Sequence, residues 1–315
     1  MDKHIEELVA QLTDKYQRTG QDVASYLEGL LVSDYVPYWE YIHLDTLMTL
    51  QKPKTKYKDE RIFIMYHQIT ELYFRLILDE CEQIVENIRS AEQQPEMEMR
   101  LKRINRYFKN LTDSFDVMGQ GMEQAQFLKF RMALLPASGF QSAQYRTIEL
   151  FATEFHHLVH PEHRSKFGAA NTIAEMYPNI YWKTGATELA TGKKTYTLQQ
   201  FEERYDSELM AKAETLKNKT IGSIAQQYFA NDAAITTQLR FFDLNVNVNW
   251  PLAHYKTAVK YLQRDPETIA ATGGTNWQKY LPPRFQRRIF YPYLWSDTEK
   301  EEWGKAWVEE ARQNN

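Results

Sequence analysis

The sequence predicts an all-α protein, a helical bundle with an irregular excursion at about residues 167–197. Three observations carry that reading. Apolar residues recur at three- and four-residue spacing through most of the chain, convincing period-2 alternation is scarce, and no internal repeat or low-complexity tract interrupts the pattern. No Gly/Ser/Pro-rich linker divides the 315 residues, so one principal domain over 1–315 is expected.

Helical periodicity begins at 4–30 and returns at 59–91, 95–119, 123–134, 140–160, 198–216 and 221–263. The stretch from Asp59 to Glu92 is the clearest helix. Ile62, Tyr66, Ile69, Tyr73, Leu76, Glu80 and Ile84 trace one stripe, and Phe63, Phe74, Ile77, Leu78 and Cys81 widen it nearly all round. A helix that apolar over its first half belongs at the centre of a fold. Residues 167–197 are rich in Gly, Thr, Lys and Asn and read as an irregular piece packed on the bundle. Thr272 to Pro292, opened by Thr272-Gly273-Gly274-Thr275, reads as loop.

Lys plus Arg number 38 and Asp plus Glu 42, with no long block of one sign, so neither nucleic acid nor an anionic membrane is suggested as partner. Cys81 is the single cysteine, which excludes an intrachain disulfide framework and a cysteine-based zinc site and fits a reducing, cytoplasmic setting. The N-terminus alternates charged and apolar residues and reads as neither a signal peptide nor a membrane span.

The run Phe130 to Arg146, FRMALLPASGFQSAQYR, sets arginines, glutamines and a Pro-Ala-Ser-Gly turn in an aromatic frame. Pro136 and Gly139 break the helical pattern, freeing backbone N–H groups and hydroxyls to face a cavity. Arg131 has the planar fork that clamps a carboxylate. The competing reading is a helix-turn-helix corner held by a structural ion pair.

His67 lies in an apolar helix with Glu71 one turn on, as a core histidine bonded to a carbonyl or as a functional group. His254, four residues after Trp250, projects from an equally apolar helix. Imidazole is the usual proximal ligand of an iron porphyrin, but one axial histidine has no spacing signature, so core residue and iron ligand both stand. In EFHHLVHPEHR, His156 and His160 stand one turn apart with Glu154 nearby, a spacing that can bind zinc or iron, although Pro161 ends such a helix directly after His160. Acidic neighbours make Cys81 a poor thiolate, and a half-buried thiol is expected.

These pieces, in order, resemble the tryptophan 2,3-dioxygenase family. Its motifs correspond to YIHLD at 41–45, FIMYHQITEL at 63–72, the 130–146 run, and Trp250-x3-His254 followed by Thr272-Gly273-Gly274. The resemblance implies a helical bundle around a b-type haem pocket. His254 would be the proximal iron ligand and His67 the distal residue facing dioxygen and the substrate's indole N–H. It further implies that Arg131 holds the amino-acid carboxylate, Thr272 its ammonium and carboxylate end, and Phe63 and Phe127 the indole walls, with Ser138 and Gly139 lining the distal side.

The family is homotetrameric, which implies that the N-terminal segment, 1–58, contacts a neighbouring subunit through Tyr38, Tyr41 and Ile42. The implied reaction uses ferrous haem b and O2 to open the indole C2–C3 bond of L-tryptophan, giving N-formylkynurenine. Pro251 stands where the family usually has Arg. Three alternatives remain: a related haem enzyme oxygenating another aromatic amino acid or substituted indole, a non-haem metal protein using His156, His160 and Glu154, and a catalytically silent helical binding protein.

Overall fold

The computed structural model describes residues 2–135, 137–168, 170–186, 193–262 and 282–304. It is all-α: among the described residues no strand forms, and an isolated bridge pairs Val159 with Ile180. The chain falls into two compact units, Met1–Lys52 and Pro53–Asn315.

In the first unit, α1 (Lys3–Gln17) starts at Asp2, whose carboxylate accepts the His4 N–H, and α2 (Val23–Val32) starts at Asp22, which caps Ala24 and Ser25. The stretch 4–30 is therefore two helices, not one. Gly20 separates them at φ +69°, a left-handed conformation that costs glycine nothing. Two single turns follow, Tyr38–Tyr41 and Leu44–Leu47. Among the described residues of this unit Val23 is the one buried hydrophobic residue, while Leu30, Leu31, Val32, Tyr35, Tyr38 and Trp39 are exposed.

The second unit is built on α3 (Glu60–Asn87), α4 (Gln94–Ser114), α5 (Gln124–Phe130), α6 (Ala143–Ala152), α7 (Tyr196–Leu216), α8 (Ile221–Tyr228), α9 (Ala233–Leu244) and α10 (Trp250–Leu262). Central α3 packs against α4 and α6, α9 closes on α4, and α7 lies on α6. Phe74, Ile77, Cys81 and Ile84 of α3 meet Met97, Leu101, Ile104 and Phe108 of α4 in the main core. Cys81 is fully buried rather than half-buried, and that burial pushes its thiol pKa up. The excursion is packed on the same core through Ile173, Met176, Tyr177, Ile180 and Trp182.

A second apolar cluster joins Tyr66, Phe115, Met118 and Phe130 to Leu252, Tyr255 and Tyr261 of α10. Gly119 lets α10 come close, since a Cβ there would sit 3.2 Å from Thr257 Oγ1. The Tyr261 hydroxyl secures the far end of α10, its one proton placed between the carbonyls of Met118 at 2.6 Å and Met122 at 2.8 Å.

Candidate functional site

Inside the Pro53–Asn315 unit lies a cavity of about 460 Å³, within the range of about 300–1,000 Å³ usual for small-molecule and cofactor sites. α3 supplies His67 to its wall and α10 supplies His254, with Phe115, Met118 and Trp250 beside them. The histidine of each of these two helices thus reaches the same void.

His67 Nδ1 lies 2.7 Å from the Phe63 carbonyl oxygen. A carbonyl can only accept, so the neutral ring carries its proton on Nδ1 and leaves Nε2 as an acceptor. Burial lowers the His67 pKa, against the opposing pull of the Phe63 carbonyl and the Glu71 charge. Gln144 steadies that turn of α3, donating to the Glu71 carbonyl at 2.9 Å and to its carboxylate at 2.8 Å.

His254 exposes its ring to the cavity, and desolvation by the surrounding protein together with the nearby His67 lowers its pKa to about 4. Its ring stacks on Phe115 at 5.6 Å. A neutral imidazole with an available lone pair in an aromatic-walled cavity has the donor chemistry that haem iron requires of a proximal ligand. The residues present therefore fit a haem group.

The rest of the cavity wall carries Tyr145, Arg146, Tyr181 and Arg288, around the buried Glu149. Arg288 Nη1 donates to Glu149 at 2.5 Å, as does the Tyr181 hydroxyl, and Arg146 Nη1 lies 3.2 Å from the same carboxylate. Burial alone would weaken both guanidiniums, yet the surrounding tyrosines and Glu149 raise their pKa values overall. Nothing in the sequence pattern singled out Glu149, Tyr181 or Arg288; a carboxylate inside the apolar TIELF segment was the available clue.

Phe63 lies against His67, with ring centroids 4.1 Å apart, and Phe127 packs on Phe130 and Tyr261 behind it in the second apolar cluster. Arg131 is buried at the head of the 3-10 turn Arg131–Leu134 and does not itself line the cavity. Gly139 does line it, while Ser138 caps the next turn with Gln141, its N–H donating to Gln141 Oε1 at 3.0 Å. Tyr38, Tyr41 and Ile42 are exposed on the Met1–Lys52 unit, and Thr272 lies outside the described residues.

The predicted helix over 140–160 requires correction, and with it the His156/His160 metal pair. α6 ends at Ala152 because Thr153 is extended, and Phe155–Leu158 is a separate 3-10 turn. Pro161 opens a new helical turn, Pro161–Arg164, instead of ending one. Glu154 ties this segment to the start of α8, its carboxylate accepting from the hydroxyls of Ser223 at 2.5 Å and of the capping residue Thr220 at 3.2 Å. Among the described residues no group of three or more His, Cys, Asp or Glu side chains is placed to hold a metal ion.

Fold and site together define an all-helical protein with two histidines, from different helices, on one cofactor-sized cavity. A family model described as tryptophan 2,3-dioxygenase matches residues 3–176, more than half of the chain, and the chain belongs to that family. Proteins named tryptophan 2,3-dioxygenase from Ruegeria sp. (strain TM1040) and Bacillus anthracis are each 38% identical to it, over 138 and 112 residues. Those segments cover 44% and 36% of this chain but 47% and 39% of the relatives, so the chain spans less than half the length of each. A tryptophan 2,3-dioxygenase from Anaeromyxobacter sp. (strain K) is 28% identical over 261 residues, covering 82% of this chain and 94% of that protein.

Proposed function

We propose that this chain is a haem-dependent dioxygenase that uses ferrous haem b and O2 to open the indole C2–C3 bond of L-tryptophan, giving N-formylkynurenine. The observation that carries this reading is the meeting of His67 and His254 at one cavity in a member of the tryptophan 2,3-dioxygenase family. His254 would hold the haem, which when bound supplies the iron that activates dioxygen. His67 accepts the indole N–H through Nε2 and so orients the ring. It acts as an acceptor more than as a base, because indole nitrogen is a poor acid.

Arg131 holds the substrate carboxylate, Thr272 its ammonium and carboxylate end, and Phe63 and Phe127 wall the indole, with Ser138 and Gly139 on the distal side. The protein works as a cytoplasmic homotetramer, a dimer of dimers. Tyr38, Tyr41 and Ile42 then complete a neighbour's pocket, a role supported by their exposure and by the bare apolar surface around them. No described helix is long and apolar enough to cross a membrane.

The test is an absorption spectrum of the reduced, haem-reconstituted protein before and after L-tryptophan is added in air. The formylkynurenine band should grow, with a product heavier by two oxygen atoms. One added oxygen would point to monooxygenation, and no new band to a silent binding protein. His254→Ala should lose the Soret band, and a normal band in that variant would overturn the ligand assignment.

A further inference from the structure

The helix that carries His254 is entered through a π turn, Asn245–Asn249, in which the Trp250 N–H bonds to the Asn245 carbonyl five residues back. Continuing that register, the N–H of residue 251 would serve the carbonyl of Val246. Residue 251 is proline and has no N–H. Its ring also crowds the preceding turn, and a π turn is one of the ways a helix makes room for that.

The carbonyl left without its helical donor is satisfied from outside the helix. Val246 O accepts from the Tyr145 hydroxyl at 3.2 Å and from Arg288 Nη2 at 3.1 Å, and these two donors are 2.8 Å from each other. Arg288 Nε also donates to the Asn247 side chain, whose amide reaches Asp243 at 2.6 Å. Val246 and Asn247 are buried, so water cannot substitute at either.

One residue more or less in this turn rotates the following helix by about 100°. His254 is three residues beyond Pro251, and α10 is already pinned at its other end by Tyr261, so the direction in which the imidazole enters the cavity depends on the turn. We propose that Tyr145 and Arg288 are positioning residues for His254, which by supplying the donors Pro251 lacks hold the π turn and aim the imidazole. The consequence for the cofactor rests on the haem reading above; the clamp itself does not.

Two measurements on Tyr145→Phe, with and without Pro251→Ala, test this. In the haem-free protein, amide hydrogen exchange across 245–250 should quicken about tenfold in Tyr145→Phe and return toward wild type when Pro251→Ala restores a backbone donor. In haem titrations, Tyr145→Phe should bind about tenfold more weakly and shift the iron–histidine stretching band, again with rescue by Pro251→Ala. Unchanged exchange in Tyr145→Phe, or no rescue by Pro251→Ala, would overturn the clamp. A wild-type chain that takes up no haem would overturn the haem reading and the aiming role with it, while the exchange data still decide whether the clamp exists.

Discussion

The Nδ1 atom of His67 lies 2.7 Å from the carbonyl oxygen of Phe63, one turn back on the same helix. That contact fixes the tautomer and leaves Nε2 as the acceptor; on the proposed function this acceptor would orient the indole N–H, too poor an acid to lose its proton early. His67→Ala should therefore lower kcat/KM about tenfold, the scale of one neutral hydrogen bond, with haem retained. A loss of four orders of magnitude, measured by steady-state turnover, would make His67 an obligatory base.

Arg131 is buried, and burial lowers its pKa below the usual guanidinium value. A bound carboxylate would offset that cost through charge-assisted hydrogen bonds. Arg131→Ala should raise KM for the amino acid about 10- to 100-fold while the Soret band stays in place. An unaltered substrate affinity would return Phe130 to Arg146 to the role of a structural corner.

Glu80 of α3 is buried between Arg100 of α4 at 3.0 Å and Arg103 at 3.1 Å. Its removal leaves Arg100 in the core with Glu96 as its remaining carboxylate partner. Glu80→Ala should cost about 3 kcal/mol, visible as a fall of several degrees in Tm. A hydrophobic replacement of both Glu80 and Arg100 should recover part of that loss. An unchanged Tm in the single variant would show that the pair contributes nothing.

The helical core was legible because its signal is local. The stripe from Ile62 to Ile84 announces α3 whatever packs on it, and a lone histidine in such a stripe draws notice at His67 and again at His254. Their meeting at one cavity is a tertiary fact, approached in the sequence only through ordered motifs. His156 and His160 misled because three- and four-residue spacing is a property of sequence, whereas the chain between them leaves the helix at the extended Thr153, turns through Phe155–Leu158 and starts a new turn at Pro161. Arg288 stayed hidden because its partners Asn247 and Glu149 lie 41 and 139 residues away. The alternation Asn-Val-Asn-Val-Asn at 245–249, odd within a helical stretch, was the local trace of the π turn.

His157 gives the fold a predictable acid sensitivity. Burial first, then the charges of Arg164 and His156, lowers its pKa from 6.5 to about 4. The folded state thus holds the imidazole neutral while the unfolded chain protonates it below pH 6.5, so the unfolded state binds more protons in that interval. The stabilising contribution is complete above pH 6.5 and is lost as pH falls toward 4, by about 3 kcal/mol in all. Replacing His157 with Asn should flatten the dependence of unfolding free energy on pH between 6.5 and 4, read by urea denaturation. Arg164→Gln should raise the His157 pKa in an NMR titration, since it removes a like charge. If the slope between pH 6.5 and 4 is the same with and without His157, the acid lability must come from other buried groups such as His254, whose pKa is likewise lowered by burial to about 4.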